Sequence, residues 1–542
     1  MVKNTYILCL LALFAFNVNA QIGDGSTPHS FFLKEAPQFI TVDVQAPSFN
    51  ETDFMANEKN GNPQPIGKVA DVSIDVLSNG TWTEIPGKGR VCGLGLQLKG
   101  TKFITAYFSD FQLPDGGVMH IYDPEHKQVV GGFSNANNAS KKYFATQPVD
   151  GDKLILEVFV PYEAQSTGSV VVSGITFVPD NLKSSNDFGN AGACEVNLAC
   201  EEGEGWRDYG KGVVRILVRN GTSVYWCTGS LINNVRQDKT PYILTADHCG
   251  DGASTANLNQ WVFFFNYQST ICPNPIMQPT LQSMTGGSKV AASRKNSVLG
   301  SDFYLLLLNN DVPKNYYSYF EGWAADGQVS DEGVCIHHPQ GDIKKISTYT
   351  QPIVSSSWES TPNTHWKVGW TATTNGHGVT EGGSSGSPLF NPTGHLIGTL
   401  TGGESTCDSI NRSKPDFYGK MSYHWTSNGD ADTFQLKPWL DPDNTGTLVL
   451  GGMIMNIETQ TKQTQFVAYP IPAKDQLYVD INNLKPIAYA QLQLYNAMGC
   501  CVLNQTVYPG HNELDITSLS AGLYIIKLVM GSEQVSQKII IK

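Results

Sequence analysis

The sequence has few charged residues and no cluster of basic ones. Asp, Glu, Lys and Arg make up 16% of its 542 residues, and the formal net charge at pH 7 is -13. Proteins that bind nucleic acid carry basic patches, so this composition argues against nucleic acid as the main partner. No cysteine spacing forms the paired C-x-x-C ligands of a zinc site. We therefore predict neither a metal nor a cofactor.

After the first twenty residues, no segment is apolar enough to span a membrane. The N-terminal segment MVKNTYILCLLALFAFNVNA has the features of a secretory signal peptide, with Lys3 before an apolar run and Val18 and Ala20 at the cleavage-site positions. A single-pass anchor is disfavoured, because the run is shorter than the roughly 20 apolar residues of a spanning helix. We predict that residues 1–20 are removed and that the chain is exported without a membrane span.

Glycine-rich turns and short alternating runs predict an all-β protein of several domains. Glycines number 53, and Thr, Ser, Tyr and Val recur in runs of period two. A chain of this length exceeds what one hydrophobic core usually organises. We predict a β-sandwich-like domain over residues 21–188 and a double β-barrel or large sandwich over residues 189–455. Residues 456–542 contain short strands between Gly or Pro turns, which predicts an immunoglobulin-like β-sandwich of about seven strands.

Cysteines concentrate in the central region of the chain. Seven of the eleven lie there: Cys194, Cys200, Cys227, Cys249, Cys272, Cys335 and Cys407. In an exported protein this clustering indicates disulfides, and the odd count leaves one thiol over.

Three residues of the central region have the identities of a catalytic triad. His248 follows the strand-like run YILTA, Asp302 precedes the apolar run FYLLLL, and Ser385 lies in the glycine-rich stretch EGGSSGSPLF. A serine hydroxyl attacks an amide only when a histidine takes its proton and a carboxylate orients that histidine. The three residues therefore predict a centre for nucleophilic hydrolysis.

The segments TADHC (residues 245–249) and GSSGSP (residues 383–388) resemble the histidine and serine motifs of chymotrypsin-like serine peptidases. The resemblance implies a double β-barrel in which Ser385, and not Ser384, is the nucleophile and His248 is the base. It also implies that the backbone amides of Gly383 and Ser385 form the oxyanion hole, where glycine lets the backbone adopt the required turn.

The segment from about residue 189 to residue 451 has a closer resemblance, to bacterial lysyl endopeptidases. The motifs that carry it include GACEVNLAC, IHHP, GVTEGGSSGSP and NRSKPDFYG. The resemblance implies cleavage of protein or peptide substrates after Lys, with Arg as a further candidate. It places Asp416 at the base of the primary pocket, where a carboxylate binds the substrate ammonium, and implies that Gly402 and Gly403 line that pocket.

The same resemblance implies three disulfides and leaves Cys335 as a free thiol. The implied pairs are Cys194 with Cys407, Cys200 with Cys272, and Cys227 with Cys249.

The sequence also departs from these families. Ser384 stands where chymotrypsin-type zymogens have the aspartate that pairs with a new N-terminus, so that activation switch is absent. Thr401 replaces the histidine that lysyl endopeptidases have before their Gly-Gly pair, and Trp358 is the aromatic residue expected near His248. Phe188 rather than a lysine precedes the expected peptidase domain, so we predict processing at another site, such as Lys183, or by another protease.

The C-terminal segments YPIPAKDQLYVDI and SLSAGLYIIKLVMG resemble the sorting domain of the type IX secretion system. The resemblance implies passage through the periplasm, contact with that secretion machinery, and release or attachment at the cell surface. Residues 21–188 would then be a propeptide that assists folding and blocks the cleft.

Two other functions remain open at this point. The stretch HPQGD (residues 338–342) is similar to one in glutamyl-specific endopeptidases of the same fold, and a catalytically inactive surface adhesin would keep the fold without the chemistry. His337 and His338 do not indicate a metal site, because adjacent residues on a strand point to opposite faces.

Overall fold

The computed structural model describes most of the chain, and the predicted signal peptide lies outside the described residues. The described residues are 23, 25–49, 65–137, 142–180, 188–276, 278–279, 281–294, 298–358, 361–455, 465–482, 490–496, 499–508, 510–530 and 533–542. They form two compact units, Met1–Met455 and Asn456–Lys542. Among these residues, no helix combines the length and the apolar character needed to cross a membrane.

Residues 23–180, the N-terminal region, consist of strands and three short helices. The strands are β1 (Ile40–Asp43), β2 (Pro65–Asp75), β3 (Thr81–Ile85), β4 (Gly89–Gln97), β5 (Phe103–Ile104), β6 (Ala106–Gln112), β7 (Val118–Tyr122), β8 (Val129–Phe133), β9 (Phe144–Ala145), β10 (Val149–Asp150), β11 (Lys153–Pro161) and β12 (Ser169–Phe177). The helices are α1 (Val76–Asn79) and the 3-10 turns His29–Phe32 and Asn135–Asn137.

Two sheets of the N-terminal region pack face to face. One has the order β1-β4-β11-β7-β8, with β3 paired to β4, and the other contains β2, β12, β6 and β9. Leu94 and Leu156 of the first sheet and Phe108 and Val172 of the second are fully buried in one core. Alternating apolar residues on each strand supply this interior, and the predicted sandwich is confirmed.

Residues 188–455, the central region, continue the all-β pattern. The strands are β13 (Val196–Asn197), β14 (Val213–Asn220), β15 (Ser223–Ile232), β16 (Tyr242–Thr245), β17 (Val262–Phe265), β18 (Gln282–Thr285), β19 (Gly287–Ala292), β20 (Tyr304–Leu308), β21 (Tyr319–Phe320), β22 (Trp323–Ala324), β23 (Gly333–His337), β24 (Lys345–Tyr349), β25 (Val354–Trp358), β26 (Thr361–Val368), β27 (Pro388–Phe390), β28 (Leu396–Gly403), β29 (Asp416–Lys420), β30 (Val449–Leu450) and β31 (Met453–Ile454).

Its helices are short and lie between strands. They are α2 (Arg207–Gly210), α3 (Asp247–Gly250), α4 (Thr255–Leu258), α5 (Met421–Thr426), α6 (Lys437–Leu440) and the 3-10 turns Glu201–Gly203, Lys314–Tyr316, Pro339–Gly341 and Asp432–Phe434.

Two large sheets organise the central region. The first has the order β18-β17-β14-β15, continues into β2 of the N-terminal region, and includes β16, β20 and β19 as a branch from β15. The second has the order β13-β24-β23-β27-β28-β29-β26-β25. Strand pairs in the described part of the chain do not close either sheet into a complete barrel. The all-β class is confirmed. His248 follows β16 of the first sheet, Ser385 precedes β27 of the second, and Asp416 begins β29 of the second.

The C-terminal unit is a sandwich of two sheets. Its strands are β32 (Gln465–Tyr469), β33 (Gln476–Asn482), β34 (Ala490–Asn496), β35 (Cys501–Val507), β36 (Gly510–Asp515), β37 (Gly522–Met530) and β38 (Glu533–Ile541). One sheet has the order β32-β33-β36 and the other β35-β34-β37-β38. Leu477, Leu492, Leu514 and Ile526 are fully buried between them, as expected for a two-sheet sandwich.

Candidate active site

Strand pairing brings His248 and Asp302 together. β16 and β20 run antiparallel with Thr245 opposite Tyr304, so the residues after β16 lie beside those before β20. His248 lies in α3, the single turn that follows β16. His248 Nδ1 is 2.7 Å from Asp302 Oδ2, and the backbone N–H of His248 donates to Asp302 Oδ1 at 2.9 Å. The carboxylate therefore holds both the ring and the backbone of the histidine.

The Asp302 carboxylate is fully buried and nevertheless favours its charged form. Burial alone raises the pKa of a carboxyl group, but the His248 ring and the hydrogen bonds from His248 and the Thr401 hydroxyl outweigh it, and the pKa of Asp302 falls below its ordinary value. An ionised carboxylate only accepts hydrogen bonds, so His248 Nδ1 carries the proton between them. Nε2 is then the ring nitrogen that can take up a proton.

The loop before β27 places Ser385 at the same corner. The Ser385 carbonyl accepts a hydrogen bond from the backbone N–H of Thr228 at 2.8 Å. Thr228 follows Cys227, whose disulfide with Cys249 ties this strand to the residue after His248. In the described part of the chain, no hydrogen bond joins Ser385 Oγ to the His248 ring.

Ser384 and Ser385 occupy different environments although they are adjacent. Ser384 is fully buried, and its Oγ lies 2.8 Å from His337 Nδ1 and accepts a hydrogen bond from the backbone N–H of Glu381. Burial lowers the pKa of His337 to about 3, so that this ring is neutral. Ser385 is partly exposed. One serine thus fastens the loop to the interior, and the other is accessible from solvent.

Position 383 of this loop accepts only glycine. Its φ is 91°, and a Cβ would lie 2.9 Å from both the His338 carbonyl oxygen and the Gly341 nitrogen. Its own carbonyl accepts a hydrogen bond from Thr228 Oγ1 at 2.9 Å. The residue predicted for the oxyanion hole is therefore packed directly against the turn Pro339–Gly341 and the strand that carries Thr228.

Asp416 is the first residue of β29 and is fully buried. Its carboxylate accepts four hydrogen bonds, from Trp370 Nε1 at 2.6 Å, Thr380 Oγ1 at 2.7 Å, Ser405 Oγ at 2.6 Å and Ser405 N at 3.2 Å. All four donors are neutral. Burial raises the pKa of Asp416 above its ordinary value, and the donors offset only part of this effect. The site is therefore a buried acid without a balancing positive charge among its described hydrogen-bond partners.

Gly402 and Gly403 end β28 beside this acid. Gly403 pairs with Asp416 across the β28–β29 ladder, and a Cβ on Gly403 would collide with Asp416 Oδ1. Gly402 is partly exposed and Gly403 is exposed. A strand end that is open to solvent therefore lies directly against the buried carboxylate, and any larger residue at position 403 would occupy the space next to it.

The sequence analysis missed His365, which lies in β26 and is fully buried. His365 Nε2 is 2.9 Å from Thr401 Oγ1, and His365 Nδ1 is 2.6 Å from Thr364 Oγ1. Burial lowers the pKa of His365 to about 4, so the ring is neutral. If Thr401 donates its only hydroxyl proton to the Asp302 carboxylate, Nε2–H of His365 must donate to Thr401 Oγ1. No motif marks His365, because this contact depends on the pairing of β26 with β29 and of β29 with β28.

Trp358 was expected near the His248 ring, but its ring contacts are with two other residues. Its ring centroid lies 5.9 Å from that of His365 and 5.4 Å from that of Phe417. Among the ring contacts of the described residues, Trp358 has none with His248. The aromatic residue of this strand pair therefore packs on the His365 side of the site.

Three disulfides stabilise the central region: Cys194 with Cys407, Cys200 with Cys272, and Cys227 with Cys249. They are the pairs that the resemblance implies. Cys335 is a buried free thiol, and burial raises its pKa to about 12.

Among the described residues, one group of metal-binding side chains lies close together. Ligand atoms of Glu195, Glu381 and Cys407 are within 4.8 Å of one another. The Cys407 sulfur is bonded to Cys194 and so offers no thiolate. Burial raises the pKa of Glu195 well above its ordinary value, which favours the uncharged acid. The group therefore lacks the deprotonated donors that a bound divalent ion requires.

Comparison with known proteins gives matches for two segments. Residues 188–419 match the family model of the lysyl endopeptidase C-terminal domain, and residues 467–542 match that of the secretion system C-terminal sorting domain. A lysyl endopeptidase of Pseudomonas aeruginosa is 26% identical over 385 residues, which cover 67% of this chain and 80% of that protein.

Solved structures of serine proteases align with part of the chain. The thermostable serine protease AL20 from an extremophilic microorganism is 12% identical, with 39% of this chain and 92% of that chain covered and a TM-score of 0.28. The protease Anisep from Arthrobacter nicotinovorans is 16% identical, with 39% and 90% covered and a TM-score of 0.28.

The family match of the all-β central region, from here on called the peptidase region, defines the chain as a serine endopeptidase, a hydrolase of peptide bonds. Its peptidase region is lysyl endopeptidase-like, and its C-terminal unit is a type IX sorting domain. The sorting domain marks a secreted or cell-surface protein. The predicted resemblance, enzyme class and export are thereby confirmed.

Proposed function

We propose that this serine endopeptidase cleaves on the carboxyl side of lysine, with Ser385 as nucleophile, His248 as base and Asp302 as the residue that orients the base. The proposal is carried by the two hydrogen bonds that Asp302 accepts from the ring and the backbone of His248. They fix Nδ1 as the donor, so that Nε2 is the nitrogen that accepts the serine proton.

The reaction then proceeds through an acyl-enzyme. Ser385 Oγ attacks the scissile carbonyl carbon while its proton passes to His248 Nε2, and the backbone N–H groups of Gly383 and Ser385 stabilise the oxyanion. The protonated His248 gives its proton to the leaving amine, and the peptide bond breaks. Water, deprotonated by His248, attacks the acyl group and releases the new carboxyl terminus. Asp302 stays ionised and stabilises the imidazolium in both halves of the reaction.

Asp416 supports the preference for lysine. Its buried carboxylate has four neutral donors, so a lysine ammonium would supply the positive charge that balances it. Gly402 and Gly403 leave room beside the acid and offer backbone groups to an extended substrate. A glutamate side chain would bring a second negative charge to the same place, which disfavours glutamyl specificity.

The bond preference is tested by digesting a denatured protein with the secreted enzyme and sequencing the products by mass spectrometry. We expect lysine to precede the cuts. Cuts after arginine as well would widen the preference to basic residues. Cuts after glutamate but not after lysine would contradict the role given to Asp416 and would favour the glutamyl-specific alternative.

The nucleophile is tested with a serine-directed fluorophosphonate. Ser385→Ala is expected to lose labelling and peptide cleavage while its circular dichroism stays unchanged. Ser384→Ala, a change at the adjacent buried serine, is the matched control and is expected to keep labelling. Unchanged turnover in Ser385→Ala would refute the proposed nucleophile, and a wild-type protein that resists labelling would favour the inactive adhesin.

A further inference from the structure

A second piece of backbone supports residues 381–385, here called the serine loop. Residues 338–342, here called the support turn, pack directly against Gly383, where a Cβ would lie 2.9 Å from two backbone atoms of the turn. The backbone N–H of Gln340 also donates to the carbonyl of Gly382. The position of the Gly383 amide therefore depends on the position of the support turn.

Asp342 ends the support turn and is fully buried. Its Oδ1 accepts a hydrogen bond from the backbone N–H of Gly189 at 2.8 Å, and its Oδ2 accepts one from the backbone N–H of Ala191 at 3.3 Å. Lys345 Nζ lies 3.7 Å from Oδ2, and the backbone N–H of Ile343 donates to Oδ1 at 2.7 Å. A buried carboxylate needs such partners. Asp342 therefore ties the support turn to the segment that begins at residue 189.

The same segment also bonds the serine loop. In residues 189–192, here called the clamp segment, the backbone N–H of Gly192 donates to Glu381 Oε2 at 3.1 Å. A Cβ at position 192 would lie 2.4 Å from Cys407 Sγ and 2.5 Å from Glu381 Oε1, so glycine is required for this close approach. The disulfide of Cys194 with Cys407 fixes the chain just after the clamp segment. One short segment thus attaches both the support turn and the serine loop.

A buried arginine provides a second attachment for the support turn. Arg215 Nη1 donates to the carbonyl of Gly341 at 2.6 Å. The guanidinium lies 4.3 Å, 4.4 Å and 3.8 Å from the ring centroids of Trp226, Phe264 and Tyr267. Cations are attracted to the faces of aromatic rings, so these rings hold the arginine in place. The support turn is therefore bonded by Arg215 and, independently, by the clamp segment.

The location of the two carboxylates distinguishes positioning from general stabilisation. Asp342 and Glu381 attach the two pieces of backbone that meet at Gly383, whose N–H is a donor of the proposed oxyanion hole. Oxyanion donors are effective because they are fixed before the charge develops. A displacement of about 1 Å at an active site can lower the rate by about 100-fold. Loss of these attachments would therefore be expressed as a loss of rate.

We propose that Asp342 and Glu381 are positioning residues, which bind the backbone amides of the clamp segment and so hold the Gly383 N–H in the geometry that stabilises the oxyanion. The inference rests on the proposed function, because it takes the amides of Gly383 and Ser385 as the oxyanion donors. It adds to that function a role for the segment that begins the peptidase region. In this role neither carboxylate touches the substrate, so the effect is on kcat and not on substrate binding.

The first test compares Asp342→Asn with Asp441→Asn in the secreted enzyme on a peptide substrate. Asparagine keeps the shape of the side chain but presents an amide N–H in place of an accepting oxygen, and we expect kcat per active site to fall by about 10- to 100-fold with little change in KM. Asp441 is also a buried acid that accepts backbone N–H groups, those of Thr445 and Gly446, in another turn. As the matched control, Asp441→Asn is expected to lower stability and to keep kcat. The same kcat in both variants would overturn the proposal.

Inhibitor binding separates a displaced oxyanion hole from a general loss of structure. A peptide aldehyde adds to Ser385 Oγ and forms a hemiacetal whose oxygen occupies the oxyanion hole, whereas the matching peptide alcohol binds without reacting. Both peptides end in the residue that precedes the cuts. We expect Asp342→Asn to weaken inhibition by the aldehyde by about the same factor as kcat and to leave inhibition by the alcohol unchanged. Equal weakening of both inhibitors would overturn the proposal.

A pair of substitutions at Glu381 decides the proposal if Asp342→Asn does not fold. Glu381 is partly exposed, and Glu381→Met and Glu381→Gln both give uncharged side chains of similar length. Only glutamine keeps an oxygen that can accept from the Gly192 N–H. We expect kcat to fall by about tenfold in Glu381→Met and Glu381→Gln to restore most of it. If methionine and glutamine give the same kcat, the hydrogen bond does not position the loop.

Failure of this inference can be told apart from failure of the proposed function. If Ser385→Ala keeps turnover, the proposed function is wrong and the inference is wrong with it. If Ser385→Ala is inactive while Asp342→Asn keeps the kcat and the aldehyde inhibition of the wild type, only the inference is wrong.

Discussion

Two buried aspartates of the peptidase region differ in what balances their charge. Asp302 bonds the ring of His248, which can become positive, and the pKa of Asp302 falls below its ordinary value. Asp416 is bonded by neutral side chains and one backbone N–H, and its pKa lies above the ordinary value. Burial acts on both in the same direction, so the difference comes from the partners.

The comparison separates two uses of a carboxylate in one enzyme. A carboxylate with an internal partner that can become cationic is suited to stabilise charge that appears on that partner during the reaction. A carboxylate that only neutral donors hold in place is suited to bind a cation that arrives with the substrate. Under the proposed function, Asp302 therefore acts on the rate and Asp416 on the choice of substrate.

The largest effect is expected for Asp302→Asn. An asparagine can present its amide N–H to His248 Nδ1 and so favour the wrong tautomer, and we expect kcat to fall by about 10⁴-fold for lysyl and non-lysyl substrates alike. Steady-state kinetics on two peptides that differ only in the residue before the cut would measure kcat for a lysyl and a non-lysyl substrate. Asp247→Asn is the matched control, because Asp247 is a buried acid next to His248 that bonds Arg294. Equal losses in the two variants would contradict a special role for Asp302.

A smaller and more selective effect is expected for Asp416→Asn. An ion pair at about 4 Å contributes about 4 kcal/mol at an effective dielectric constant of 20, before desolvation costs. We therefore expect kcat/KM for a lysyl substrate to fall by about 10² to 10³-fold, and that for a leucyl substrate by only a few-fold. Equal losses on both substrates would contradict the assignment of Asp416 to the specificity pocket. They would also contradict the proposed difference in role between Asp416 and Asp302.

The pH dependence of specificity offers a second measurement on Asp416. Because burial raises its pKa, the carboxyl group takes up a proton at a higher pH than an exposed aspartate does. On acidification, the ratio of lysyl to leucyl kcat/KM is expected to fall while other aspartates are still ionised, and Asp416→Asn should abolish this dependence. A ratio that stays constant in the wild type from neutral pH down to the ordinary range of aspartate would contradict the assignment.

The smallest effect is expected for His365→Phe, which tests how Asp302 is held. The substitution removes the donor to Thr401, so the hydroxyl is no longer fixed toward Asp302, and we expect kcat to fall by about tenfold with little change in KM. His365→Gln, which can keep a donor near the Nε2 position, is expected to restore most of the lost kcat. If active-site titration shows that only the fraction of active enzyme falls, while kcat per active site is unchanged, His365 has a structural role only.

Sequence analysis selected His248 and Asp302 as candidates because each lies at the end of a run that reads as a strand, and the structure brings the two together through paired strand ends. It identified Asp416 only through a resemblance, since nothing near Asp416 in the sequence indicates burial or four donors. Trp370, Thr380 and Ser405 are 46, 36 and 11 residues from Asp416. Only the arrangement of the second sheet brings them to one carboxylate, as it also brings His365 to Thr401.

The sequence by itself determined the all-β class, because alternation of period two records which side of each strand is apolar, and it determined the order of histidine, aspartate and serine along the chain. Alternation does not record what covers an apolar face. The runs VVRILV and WVFFFNY read as buried strands, yet only the tertiary structure decided that one of their faces is covered by the N-terminal region. Long-range packing also decided the opposite pKa shifts of the two aspartates, because burial and hydrogen-bond donors are supplied by residues that are distant in the chain.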